Sequence, residues 1–211
     1  MFLDRYDAAK QLGRKLEKFK NKNAIIIAIP RGGVPLGYYL AKSLNLPLEI
    51  FLSKKIGHPN NAEFAIGSVT LNGAIINYSS NDVSQDYIKK EIDRILKSLK
   101  EKFTLFMGNR KPTDLKNKTV IIVDDGIATG NTIQATVEEI KKNKPKEIII
   151  AVPVAPHSAT KKMSSIVNEF ICLHSPEEFM GVGQFYQRFP QISDQEVIEL
   201  LNNANKQQET G

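Results

Sequence analysis

A chain of 211 residues with a 41% hydrophobic fraction suits one domain, or one domain with a small appendage, built on a sizeable core. Its net charge of +6 rests on lysines scattered beside acids, as at Lys141, Lys142, Lys144 and Lys146 next to Glu138, Glu139 and Glu147; with no aromatics interleaved, this favours a solvated surface over nucleic-acid binding. One cysteine, Cys172, and three histidines exclude an internal disulfide and argue against structural zinc, and no apolar run approaches the roughly 18–20 residues of a transmembrane helix.

The chain opens without an apolar stretch behind a basic one, so no signal peptide is expected, and the cytoplasm is the expected location. Residues 4–20 place Ala8, Ala9, Leu12, Leu16 and Phe19 at helical spacing. Residues 24–29 (AIIIAI) form a short continuous apolar run, the pattern of a strand buried on both faces in a parallel sheet. A helix over 33–44 and a strand over 48–52 follow. Strands over 66–71 and 74–77 flank Asn72-Gly73, a hairpin signal. Apolar residues at Ile88, Ile92, Ile95, Leu96, Leu99 and Phe103 predict a long amphipathic helix over 84–106. Then come a strand at 120–123, a helix at 132–142, a strand at 147–152, a helix at 158–167, a strand at 170–173 and a helix at 196–201. Residues 206–211 read as a frayed tail.

This alternation predicts an α/β fold with a mainly parallel central sheet flanked by helices and a local antiparallel piece around Asn72-Gly73. Residues 1–211 are read as one domain, with 174–205 as a hood and C-terminal helix within it. Ligands of open α/β sheets bind beyond the carboxyl ends of the strands. The segments following Ile29, Leu52, Val123, Val152 and Leu173 therefore carry the interest.

The richest of these segments runs VIIVDDGIATGNT. A buried strand delivers two adjacent carboxylates, Asp124 and Asp125. A loop of small residues follows, Gly126, Ala128, Thr129, Gly130, Asn131 and Thr132, and then a helix begins. A helix N-terminus offers unpaired N–H groups and partial positive charge to a phosphate. Carboxylates repel phosphate but accept from sugar hydroxyls, so the combination calls for a sugar phosphate. The segment lacks the lysine of G-x-x-x-x-G-K-[ST] and is not G-x-G-x-x-G. An N-cap beside an acidic turn accounts for one Asp and one Thr, but not for two acids and a small-residue loop.

This segment resembles the signature of the type I phosphoribosyltransferases. The resemblance covers nearly all of the chain, extending to a bacterial phosphoribosyltransferase-like subgroup with an RGG-type first loop and a G-x-G-x-[FY]-Y tail, here Gly181 to Tyr186. It implies that Asp124 and Asp125 hold the ribose hydroxyls of 5-phosphoribosyl-1-pyrophosphate. Asp125, Gly126, Ala128, Thr129, Gly130, Asn131 and Thr132 would wrap the 5-phosphate. Asn131 stands where glycine is common, a mild departure that still suits a tight turn.

Arg31, Gly32 and Gly33 match the family's pyrophosphate loop, where a cis peptide is frequent; the alternative is a Gly-Gly helix cap with an exposed arginine. Residues 53–63 match its mobile catalytic loop, a flexible segment that closes over the donor. Lys54, Lys55 and Glu63 are its catalytic candidates. His58 and Glu63 are candidates for acid–base work, or else solvated loop residues. Phe179, Phe185 and Tyr186 stand where an aromatic covers the acceptor, or else pack the C-terminal helix onto the sheet.

The implied activity transfers the 5-phosphoribosyl group to a nitrogen acceptor such as a nucleobase, with release of pyrophosphate. Mg2+ would be held through donor and water near Asp124 and Asp125, with no direct protein ligand set. The other reading is a non-catalytic regulator of the same fold that senses the donor or a nucleotide. Partners are expected to be small molecules, with neither nucleic acid nor membrane, and a homodimer is compatible with the resemblance.

Overall fold

The computed structural model describes residues 1–76 and 82–209. These form two compact units, one from Met1–Phe51 with Lys111–Gly211, the other Leu52–Arg110.

The first unit is built on five parallel strands in the order β2-β1-β6-β7-β8: β1 (Ala24–Ala28), β2 (Leu48–Ile50), β6 (Thr119–Val123), β7 (Glu147–Val154) and β8 (Glu169–His174). β1 and β6 are buried at every position, as their unbroken apolar runs require. Alternate residues Ile25, Ile27, Val120, Ile122, Ile148 and Ile150 join one core cluster. It also contains Ile133, Val137 and Ile140 of α4 (Asn131–Lys142) and Ala159 and Met163 of α5 (His157–Ser164).

α1 (Arg5–Leu16), α2 (Gly33–Leu44) and α6 (Asp194–Glu209) complete the unit. The Asp4 side chain caps α1 by accepting from the Asp7 amide at 3.0 Å. α2 approaches the sheet closely at Gly37, where a Cβ would lie 2.9 Å from Ala28 Cβ and from Leu48 Cδ1. A side chain there would push the helix off β1.

The second unit holds an antiparallel sheet of β3 (Ser53–His58), β4 (Asn61–Thr70) and β5 (Gly73–Ile76), with α3 (Gln85–Met107) capped by the Ser84 hydroxyl. Two expectations change here. Residues 53–63, expected as a polar flexible loop, are a paired hairpin with His58 opposite Asn61 and a tight turn at Pro59-Asn60. Lys54 and Lys55 stand on β3, and Glu63 on β4. The turn residues Gly57, Pro59, Asn60 and Asn61 masked the strands; pairing with a long β4 and the burial of Ile56 and His58 overrode them. The second turn lies at Leu71-Asn72, one residue earlier than expected, because Gly73 pairs with Thr70.

The expected strand over 74–77 ends in Asn77, which lies outside the described residues, as do Thr210 and Gly211 of the tail. α5 stops at Ser164, three residues short of its expected end, while α6 starts two residues earlier than expected and runs to Glu209.

Candidate functional site

All five strands of the first unit point the same way, so their carboxyl ends share one edge of the sheet. Two loops meet at its centre because β1 and β6 are neighbours. After β1 the chain turns through a cis Pro30–Arg31 peptide into Gly32 and enters α2 at Gly33. After β6 it passes Asp124 and Asp125 and enters α4 at Asn131.

The first loop sits directly on the second. A Cβ on Gly32 would coincide with the Asp125 carboxylate, and one on Gly33 would lie 2.7 Å from the Val123 carbonyl oxygen. Both positions therefore exclude a side chain. We expect Gly32→Ala to destabilise the protein by about 1–3 kcal/mol, the usual cost of overpacking a filled site. Urea denaturation measures this, and stability equal to wild type would show that the carboxylate yields freely.

Asp124 accepts the Asp125 amide on Oδ1 at 2.8 Å. Asp125 is held by Arg5, whose Nε and Nη2 reach the same oxygen, Oδ2, at 2.9 and 2.8 Å. Its backbone carbonyl accepts the Tyr186 hydroxyl at 2.6 Å. Burial and the neighbouring Asp125 charge push the Asp124 carboxyl well above the usual carboxylate range. Burial also raises Asp125, opposed by the Arg5 guanidinium. Burial pushes the Tyr186 phenol up, so it remains a donor at neutral pH.

The loop beyond the acids is anchored by Ile127, which is buried and donates its amide to the Val154 carbonyl at 2.8 Å. Gly126 is enclosed by Val182 and Val154. Gly130 adopts φ +78, a left-handed conformation that favours glycine, and no side chain caps α4 there. The first amides of a 12-residue helix thus open onto a cavity of about 130 Å³ lined by Asp124, Gly126 and residues 127–133. Ala128 and Thr129 are exposed on its rim, and the Asn131 side chain accepts from Lys162 Nζ at 3.3 Å.

A second cavity, of about 320 Å³, is lined by Arg5, Arg31, Gly32, Asp125 and residues 189–192. Arg31 lies exposed at its edge, 3.4 Å from Asp194.

The structure thus brings Arg31, Gly32 and Gly33 together with Asp124, Asp125 and the loop to Thr132. Lys54, Lys55 and Glu63 belong to the second unit. There the Lys55 ammonium lies 2.9 Å from Glu63 and holds that carboxyl below its usual range. His58 is engaged in the hairpin: its Nδ1 accepts the Asn60 amide at 3.2 Å, and its Nε2 lies 3.3 Å from Asp82. Tyr186 is buried between Phe2 and Phe189 and spends its hydroxyl on Asp125, which makes it a structural residue. Phe185 packs on Phe179 and His174.

Sequence reasoning missed Arg5. The signal was present: Arg5 continues the buried stripe of Ala8, Ala9, Leu12 and Leu16, and an arginine on an apolar stripe requires a buried acid.

Residues 5–185 match the family model described as a phosphoribosyl transferase domain. The chain belongs to the phosphoribosyltransferase family. Its five-stranded parallel sheet flanked by helices is the type I fold of that family. A Mycobacterium tuberculosis protein assigned by its name to the phosphoribosyl transferases is 32% identical over 213 residues. That match takes in 98% of this chain but 47% of the relative, so the chain spans about half the length of the curated relatives it matches. The crystal structure of TT1426 from Thermus thermophilus is similar over 96% of this phosphoribosyltransferase chain and 98% of its own, with a TM-score of 0.85 and 29% identity. A Neisseria gonorrhoeae protein solved with bound ppGpp shares the fold at a TM-score of 0.51 and 15% identity, over 96% of this chain and 98% of its own. Among the described residues, no helix is long and apolar enough to cross a membrane.

Proposed function

We propose that this chain transfers the 5-phosphoribosyl group from 5-phosphoribosyl-1-pyrophosphate to a nitrogen acceptor of the nucleobase class, releasing pyrophosphate. The observation that carries this reading is the junction of the two loops. A pair of half-buried acids stands between an uncapped helix N-terminus and a glycine turn pressed on Asp125. Asp124 and Asp125 accept the ribose hydroxyls, and the α4 amides with Thr129 and Thr132 hold the 5-phosphate. The Arg31–Gly33 turn holds the pyrophosphate.

The acceptor nitrogen lone pair forms the bond to carbon 1. The carbon–oxygen bond breaks with its electron pair leaving on pyrophosphate, through an oxocarbenium-like transition state. The protein's share is positioning and stabilising the departing charge. Two carboxylates, one with an oxygen already held by Arg5, fit a magnesium ion bound mainly by donor oxygens and water. When bound, magnesium neutralises pyrophosphate charge.

Lys54, Lys55 and Glu63 are proposed as catalytic on sequence position. The Lys55 ammonium holds Glu63 ionised, so this carboxyl has no proton to donate at neutral pH. A cytoplasmic location and a homodimer belong to the same proposal; sedimentation equilibrium tests the dimer.

The test is pyrophosphate release with donor, magnesium and a panel of purine and pyrimidine bases. Release with at least one base supports transfer. Tight donor binding with no release from any base of the panel supports the donor-sensing reading, and no donor binding overturns both transfer and donor sensing. Arg31→Ala is expected to lose more affinity for pyrophosphate than for ribose 5-phosphate, measured calorimetrically. Equal losses would remove Arg31 from the pyrophosphate side.

A further inference from the structure

We infer that Arg5 is a positioning residue of the donor site: it fixes one oxygen of Asp125 so that the other is presented to the ribose, and it ties that acid to the chain segment beyond Phe189. This rests on the proposed donor site.

Four contacts of one side chain converge. Nε and Nη2 both donate to Asp125 Oδ2, while Nη1 donates to the Pro190 carbonyl at 2.8 Å. The guanidinium carbon lies 3.8 Å from the centre of the Phe189 ring. Phe189 is in turn supported by Tyr186 at 4.9 Å, and Tyr186 returns a hydrogen bond to the Asp125 carbonyl. The circuit closes on Asp125 from both its side chain and its backbone.

Arg5 is only 8% exposed, on the buried stripe of α1, so its charge has been taken out of water, and its ion pair is with this acid. The use of the acid is asymmetric. Arg5 takes Oδ2 twice, and the other side chain in contact with the carboxylate is the neighbouring Asp124. Gly32 closes the same carboxylate from the other loop. Without the guanidinium, no cation among the described residues holds one oxygen of the carboxylate inward. A planar fork is required: an ammonium keeps the charge but cannot bridge Asp125 and Pro190 while lying flat on Phe189. Arg5 also faces the cavity of about 320 Å³ beside Arg31, which raises a rival role, direct contact with pyrophosphate.

The experiment separates the two. Binding of ribose 5-phosphate and of 5-phosphoribosyl-1-pyrophosphate, each with magnesium, is measured calorimetrically for wild type, Arg5→Met, Arg5→Lys, Asp125→Asn and the Arg5→Met/Asp125→Asn double variant. Positioning through Asp125 predicts that Arg5→Met loses at least tenfold for both ligands, and that the double variant loses no more than Asp125→Asn alone. Arg5→Lys recovers part of the loss. A loss confined to the pyrophosphate-bearing ligand, additive losses in the double variant, or full recovery with lysine overturns the inference. If Arg5→Met does not fold, Arg5→Lys against Asp125→Asn carries the test: lysine must bind both ligands more weakly than wild type and more tightly than Asp125→Asn. Failure of the wild type to bind either ligand would overturn the donor site itself, a different result from wild-type affinity in the Arg5 variants.

Discussion

Replacing Asp124 and Asp125 together by asparagine is expected to weaken binding of 5-phosphoribosyl-1-pyrophosphate by at least tenfold while the fold survives. Asparagine keeps the shape of each side chain, and at position 124 its oxygen still accepts the amide that Asp124 Oδ1 accepts now. What is lost is charge. A hydrogen bond to an ionised acceptor contributes about 1.5–3 kcal/mol, and about 1.4 kcal/mol is a factor of ten. Losing the charge of two such acceptors therefore carries affinity past one decade. Calorimetric titration with magnesium, on a variant shown to be folded, gives the number. An unchanged dissociation constant would remove the acids from the ribose site.

The same acids make a prediction of opposite sign for stability. Both carboxyls titrate above the ordinary aspartate value of 3.8, Asp124 well above it, with burial the leading cause. In the pH window between that ordinary value and the raised ones, the folded state holds more protons than the unfolded state. Their contribution to stability is thus present at low pH and is lost as pH rises through the raised values. Above the ordinary aspartate value, keeping Asp124 in these surroundings is a standing cost.

Asp124→Asn removes that cost and is expected to stabilise the protein at pH 7, because ionising the raised carboxyl costs free energy in the folded state. The gain shrinks toward pH 4, close to the ordinary value, where the raised Asp124 carboxyl is protonated in the folded state. Asp125→Asn gains less, because it strips the buried Arg5 of its counter-charge. Urea denaturation at pH 7 and pH 4 tests both. An Asp124→Asn protein less stable than wild type at pH 7 would mean that the carboxylate is better paired than its surroundings indicate. A variant that is more stable yet binds donor poorly is the signature of a site maintained for function against stability.

The parts of the fold legible in the sequence are those whose signals are local. β1 and β6 announce themselves as continuous β-branched runs, and the bounds of α2 are the expected ones, because burial on both faces and helical periodicity are written in neighbouring residues. The acid pair and the small-residue loop that leads into α4 were legible for the same reason. Strand end, acids, small residues and helix start lie within 13 consecutive positions, so their order alone fixes their mutual placement.

The hairpin of β3 and β4 was not legible, because its turn residues dominate the local signal and its strands exist by pairing with one another. Nor was the circuit around Asp125. Arg5 is 120 positions from Asp125, and Tyr186 is 61. No propensity or spacing links residues so far apart. The neighbouring of β1 and β6 in the sheet seats Gly32 on the carboxylate, and the packing of α1 at that edge turns Arg5 toward it. The sequence by itself determined which chemistry stands at the strand ends. The tertiary structure decided which partners hold it there, because a buried charge takes its counter-charge from whatever side chain the packing brings within reach.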